Sequence, residues 1–193
     1  MKKSLLTKSI IAAGIVGSLT AANAGGLGDL KFYAGAGVDY NMYSFDSVLT
    51  NLVNVKSKGI GFTAPVLGIK FHENFGLEAG YSFNKKVTFS NKADANIKKS
   101  LKVRNIYLDL VGFMPVADQF DLLGGLGVGR LSGKADDGIT AKKTSWRAKI
   151  GAQYNVVTNL ALRAVFSYQN VDKNKVGSLK NVKNIGLYGV YTF

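Results

Sequence analysis

Residues 144–155 read Thr-Ser-Trp-Arg-Ala-Lys-Ile-Gly-Ala-Gln-Tyr-Asn, so that Trp146, Ala148, Ile150, Ala152 and Tyr154 alternate with Arg147, Lys149, Gly151, Gln153 and Asn155. Successive side chains of an extended strand point to opposite faces, which gives this segment one apolar face and one small or polar face. A helix at 3.6 residues per turn would mix the two sets around its circumference. The same period recurs at Phe32, Ala34, Ala36, Val38, Tyr40 and Met42 against Tyr33, Gly35, Gly37, Asp39, Asn41 and Tyr43. It returns at Leu160, Leu162, Ala164, Phe166 and Tyr168 against Ala161, Arg163, Val165, Ser167 and Gln169. The last segment sets Ile185, Leu187, Gly189, Tyr191 and Phe193 against Asn184, Gly186, Tyr188, Val190 and Thr192.

Segments of this kind predict eight strands, near 31–43, 58–71, 75–88, 100–114, 120–132, 143–155, 160–170 and 181–193. Short connections at 72–74, 115–119 and 156–159 alternate with long polar ones at 44–57, 85–99, 133–142 and 170–180. That rhythm belongs to an up-and-down antiparallel sheet with all its short turns at one end.

Which face meets what decides the class. The interior of eight closed strands is only wide enough for side chains to fill, and Tyr33, Glu78, Tyr107, Arg147, Lys149 and Arg163 among many glycines suit it. The opposite face carries Phe, Leu, Ile, Tyr and Trp, too bulky to converge on one axis, so it points outward and requires lipid. Closure pairs every backbone N–H and C=O without water, as hydrocarbon demands. A soluble lipocalin-like barrel would instead bury its large apolar residues. The predicted fold is therefore an all-β, eight-stranded antiparallel up-and-down transmembrane β-barrel. Phe71, Phe75 and Phe120 flank the short turns while Tyr40, Tyr81, Trp146 and Tyr168 lie towards the long connections, giving an aromatic belt at each end.

The chain has 193 residues, 47% hydrophobic, with no cysteine and 25 Lys plus Arg against 12 Asp plus Glu. Zero cysteine removes disulfide scaffolds, zinc ribbons and thiol nucleophiles together. The basic start at Met1-Lys2-Lys3 with Lys8, the apolar run 9–19 and the small-x-small site Ala22-Asn23-Ala24 read as a secretory signal peptide over 1–24, cleaved after Ala24. Its apolar run is too short for a membrane-spanning helix, which needs roughly 20 residues. Residues 25–193 then form one barrel domain. The net charge of +13 would suit nucleic acid, but a secreted chain does not meet it, so no nucleic-acid partner is expected. The charge lies elsewhere: the long connections and their strand ends hold 14 lysines against Asp46, Asp94, Asp136, Asp137 and Asp172. Simple solvation of long loops is one reading of this charge; the other is anion binding, with Lys85, Lys86, Lys98, Lys99, Lys142, Lys143, Lys173 and Lys175 as the candidates and lipopolysaccharide phosphates or acidic host glycans as the ligands.

Inside, Asp39, Glu78 and Asp109 face Arg147, Lys149 and Arg163, three negatives against three positives. Unpaired buried charges cost several kcal/mol, so this set is expected to pair across the lumen, and a plug or gate in a narrow pore is the sharper reading. The glycines Gly124, Gly125, Gly127 and Gly129 form no phosphate loop, lacking the G-x-G-x-x-G register and a following helix. They are expected to let large inward neighbours fit. No metal, cofactor or nucleophile–base constellation is visible, and the lone histidine, His72, falls in a short turn.

Residues 68–81, Gly-Ile-Lys-Phe-His-Glu-Asn-Phe-Gly-Leu-Glu-Ala-Gly-Tyr, resemble the second hairpin of eight-stranded outer-membrane proteins of the outer-membrane protein A and opacity surface-antigen type. Residues 159–164 and 184–193 resemble that family's last two strands. The resemblance implies a bacterial outer-membrane location and a structural or surface-exposed role, adhesin- or antigen-like. It leaves open a small narrow channel for ions or small hydrophobic solutes. Its implied partners are outer-membrane lipid and lipopolysaccharide, the barrel-insertion machinery with periplasmic chaperones, and host surface molecules. Tyr191 and Phe193 resemble the terminal aromatic signal read by that machinery. Some barrels of this size act on lipid A, which would need a histidine and a serine nucleophile near the outer leaflet. His72 lies at the opposite end, so no enzyme is expected. Family members often carry an acid shortly after the strand-seven arginine; Val165 stands there, so Arg163 needs another partner.

Overall fold

The computed structural model describes residues 30–45, 53–56, 58–84, 87–91, 98–135, 140–171 and 179–193. They form ten strands: β1 Lys31–Phe45, β2 Val53–Lys56, β3 Lys58–His72, β4 Phe75–Asn84, β5 Val87–Asn91, β6 Lys98–Ala117, β7 Phe120–Ala135, β8 Thr140–Val157, β9 Leu160–Val171 and β10 Leu179–Thr192. Eight of them are staves. Antiparallel pairing runs β1–β3–β4–β6–β7–β8–β9–β10 and returns from β10 to β1, so these eight close on one another as a barrel. This is the predicted eight-stranded up-and-down barrel.

Three expectations change. The connections 44–57 and 85–99, read as polar loops, contain β2 and β5, which pair with each other. The strand expected over 75–88 stops as β4 at Asn84, and β5 takes over as the neighbour of β6, from Val87↔Leu101 to Ser90↔Lys98. Val-Asn-Val-Lys and Val-Thr-Phe-Ser-Asn carry the β-branched residues that favour strands and alternate apolar with polar, but over only four and five residues among flanking lysines the period is too short to stand out. The second short turn is also tighter than expected. β6 continues through Pro115 to Ala117, leaving only residues 118 and 119 in the turn.

The three turns are pinned by local polar groups. His72 accepts through Nδ1 from the Asn74 backbone N–H at 3.1 Å, and the Asn74 side chain donates to the Phe113 carbonyl at 2.9 Å. Asn155 N–H donates to the Gln119 carbonyl at 2.8 Å. Asn159 accepts at its carbonyl from Thr192 N–H at 2.8 Å and returns a side-chain hydrogen bond to the Thr192 carbonyl at 3.0 Å. The seam finishes where Phe193 N–H donates to the Phe32 carbonyl at 2.9 Å.

Burial is inverted relative to a protein folded in water. Leu126, Ile150 and Leu187 are 68%, 66% and 61% exposed, while Asp109 and Arg163 are 1% and 4% exposed inside the barrel. The alternation written in 144–155 carries through: Arg147, Lys149 and Gln153 are buried and Trp146, Ile150 and Tyr154 are exposed. On β3 the inward set changes parity, from Gly61 and Thr63 to Val66 and Gly68, because the pairing register shifts between Thr63 and Val66. Two large inward rings are seated on glycine. Tyr33 lies opposite Gly68 and Tyr107 opposite Gly80, and a Cβ on either glycine would enter the ring.

Candidate functional site

The lumen is filled in layers. Towards the short turns, Tyr33, Val66, Val111, Phe113, Leu123, Val165 and Val190 form one apolar cluster. Towards the long connections, Tyr43, Val103, Leu131, Val171 and Val182 form another. Polar side chains occupy the space between.

The charged part of that space follows from register. Glu78 on β4 lies directly opposite Asp109 on β6, which sets two carboxylates side by side in a buried position. Like charges so placed repel, and Lys149 answers them. Its Nζ is 2.6 Å from Glu78 Oε1 and 3.1 Å from Asp109 Oδ2. Lys149 and Arg147 stand on β8, two staves from β6, and reach across β7 because their partners there are Gly125 and Gly127. Arg147 closes one end of the row, its Nε 3.1 Å from Asp109 Oδ1. Arg163 closes the other, its Nη1 2.5 Å from Glu78 Oε2. The order Arg163, Glu78, Lys149, Asp109, Arg147 thus alternates in sign.

Neutral groups complete it. Tyr33 donates its hydroxyl to Glu78 Oε2 at 3.0 Å, and Arg163 donates through Nε and Nη2 to Gln153 Oε1 at 3.1 and 2.8 Å. With Val165 in the place of an acid, Glu78 and Gln153 are what Arg163 finds. Arg147 also stacks its guanidinium 4.0 Å from the centre of the Tyr107 ring.

Asp39 departs from the expected three-against-three pairing. It is buried, but it accepts from the Tyr188 hydroxyl at 2.5 Å and from the Thr63 hydroxyl, and among the described residues no cation forms an ion pair with it. The register explains this. Asp39 lies opposite Gly61 and Gly186, on the β1 side of the lumen, so hydroxyls on β3 and β10 reach it first. Thr63, Tyr188 and Gln153 were not singled out in the sequence; their inward parity was the available signal.

Above the ion pairs lies an amide layer. Asn105 donates to Gln169 Oε1 at 3.1 Å, Asn41 to Asn84 Oδ1 at 2.8 Å and Asn184 to Asn41 Oδ1 at 2.9 Å. It encloses a cavity of about 20 Å³, and a second of about 10 Å³ lies beside Glu78 and Arg163. Each is the size of one water site.

At the rim, Lys142 is exposed and Lys143 half-buried, while Lys98 and Lys99 begin β6. Lys85, Lys86, Lys173 and Lys175 lie outside the described residues, as do the expected signal peptide and its cleavage site. Tyr191 and Phe193 sit edge to face, ring centres 5.2 Å apart. Among the described residues, no group of three or more His, Cys, Asp or Glu is placed to hold a metal ion.

A closed eight-stranded barrel with an apolar exterior and a charged interior is matched over residues 9–193 by the family model for the outer membrane protein beta-barrel domain. The chain belongs to this family. As an outer-membrane β-barrel it shares its fold with Ail, the attachment invasion locus protein of Yersinia pestis, solved in complex with the heparin analogue sucrose octasulfate. That match has a TM-score of 0.59 at 18% identity, over 86% of this chain and 100% of Ail. Neisserial surface protein A matches with a TM-score of 0.56 at 17% identity, over 83% of this chain and 95% of that one. The outer membrane protein OprG of Pseudomonas aeruginosa matches with a TM-score of 0.55 at 14% identity, over 85% and 95%. No curated protein matches the sequence.

Proposed function

We propose that this outer-membrane barrel is a non-enzymatic, surface-exposed protein whose filled lumen does not conduct and whose lysine-rich extracellular rim binds polyanions. Sulfated or phosphorylated polysaccharides of a host surface or of neighbouring lipopolysaccharide are the ligand class. The observation that carries this reading is the separation of roles between the two regions. The inside is packed, charge-compensated and capped by an apolar cluster at each end, while the excess of lysine lies in the long connections. A sulfated ligand bound to Ail, on the same fold, supports the ligand class.

The second reading, a narrow channel, draws on the hydratable amide layer of Asn41, Asn84, Asn105, Gln169 and Asn184. Conduction through it would require both apolar clusters and the ion-pair row to open. Refolded protein in a planar bilayer separates the two: unitary current steps favour the channel, and silence favours the closed surface protein. In parallel, the protein is expected to bind immobilised heparin at about 0.1 M salt and release it towards about 1 M, as the screening length falls from about 10 to about 3 Å. Salt-insensitive retention would refute the electrostatic reading.

A further inference from the structure

Outside the lumen, the register assembles a second charged constellation. On the outward face of β7, Arg130, Ser132 and Lys134 follow one another at alternate positions. Ser132 lies opposite Arg104 of β6 on one side and opposite Lys142 of β8 on the other. Lys134 lies opposite Lys102. Ser132 is therefore the centre of a cross with a cation at each of its four arms, and Lys102 adds a fifth at one corner. Neighbours on adjacent strands stand about 5 Å apart, and alternate residues along a strand about 6.6 Å. All five cations are exposed, and among the described residues none forms an ion pair or a side-chain hydrogen bond.

A directly opposed Lys102–Lys134 pair is destabilising unless something negative lies between. The height of the cross indicates what that is. Trp146 sits two residues below Thr144, the partner of Arg130, and packs on Tyr168 with ring centres 5.7 Å apart. These outward rings mark the membrane interface, so the cross lies just above it, at the level of lipid headgroups. The guanidinium groups of Arg104 and Arg130 suit the oxygens of a phosphate, with the Ser132 hydroxyl as an added donor.

We infer that the outer face of β6–β7–β8 holds a phosphate of one outer-leaflet glycolipid of the lipid A type, bound beside the barrel. The site rests on the membrane setting of the fold; it shares Lys142 with the rim candidates, whereas Arg104 and Arg130 belong to it alone. Native mass spectrometry of the refolded full-length protein, titrated with bis-phosphorylated lipid A, tests it. One lipid per barrel is expected. Arg104→Gln with Arg130→Gln weakens binding by about tenfold or more, and lysine at both positions restores most of it. Lys58→Gln with Lys183→Gln removes the same charge from the other side of the barrel and leaves binding unchanged. Dephosphorylated lipid A does not bind, and inorganic phosphate does not compete at equal concentration. Equal loss in the Lys58/Lys183 variant, equal binding of the dephosphorylated lipid, or equal competition by inorganic phosphate would each overturn the site. Heparin retention by the Arg104/Arg130 variant stays at the native level, so failure of this site and failure of the rim reading appear in different measurements. Unboiled electrophoretic mobility confirms that each variant is folded.

Discussion

Replacing Glu78 by Gln keeps the volume of the side chain and removes its charge. Three donors lose a carboxylate: Lys149 at 2.6 Å, Arg163 at 2.5 Å and the Tyr33 hydroxyl at 3.0 Å. The row of three cations and two carboxylates then keeps only Asp109 against Arg163, Lys149 and Arg147. Hydrogen bonds to charged groups contribute about 1.5–3 kcal/mol each, and an amide nitrogen in the place of Oε2 removes two of the three, those from Arg163 and Tyr33. Breaking a buried pair from one side costs about 3–5 kcal/mol, in the same range. Glu78 is 4% exposed, so water offers little screening. The assay is urea unfolding of the refolded barrel in lipid vesicles, followed by the fluorescence of Trp146, the chain's only tryptophan, which faces the lipid. Glu78→Gln is expected to lower the unfolding free energy by about 3–5 kcal/mol. Combining it with Arg163→Gln should cost less than the two single changes together, because the same contact is removed twice. A loss below about 1 kcal/mol for Glu78→Gln, or strict additivity in the double variant, would refute the bridged arrangement.

The two remaining carboxylates should differ in the same assay. Asp109→Asn strips Arg147 and Lys149 of their shared partner and is expected to cost about 3–5 kcal/mol, whereas Asp39→Asn alters only hydroxyl contacts and should cost about 1–2 kcal/mol. Gly68→Ala drives a methyl into the Tyr33 ring and should destabilise by about 1–3 kcal/mol. Gly59→Ala, on the same strand with open space around the added carbon, should be neutral or slightly stabilising. For the proposed assembly role of Tyr191 and Phe193, serine at both positions should lower outer-membrane yield in cells while leaving refolding into detergent unchanged. Equal loss in both measurements would make the pair a matter of stability alone.

The barrel was legible because its decisive information is local. Parity along 144–155 says which side of a strand Arg147 and Trp146 occupy, and repetition of that parity in other segments says that the polar side is closed off. Identity of partners is not local. Whether Lys149 meets Glu78, Asp109 or Asp39 depends on the shear between staves, and no single segment encodes it. Asp39 shows the difference: its inward direction was readable, its hydroxyl partners were not. The pairing of β2 with β5 escaped for another reason. Alternation makes a strand recognisable when it is sustained, and Val53, Val55 and Val87, Phe89 give these two short strands only two apolar positions each, among flanking lysines. The cross around Ser132 was hidden in the same way, since Arg104, Arg130 and Lys142 are scattered in sequence and meet only through register.

The staves differ in length, and the difference has a direction. β9 has 12 residues and β6 has 20. At about 3.3 Å per residue and a tilt near 45°, β9 rises roughly 28 Å and β6 roughly 47 Å, against an apolar band of about 25 Å. The wall around β6, lengthened by its pairing with β5, therefore stands well above that band as a parapet. Diffusing in the plane of a crowded membrane, such a molecule turns a raised, β5-backed shoulder to neighbours on that side, so its encounters depend on its heading as well as on its chemistry.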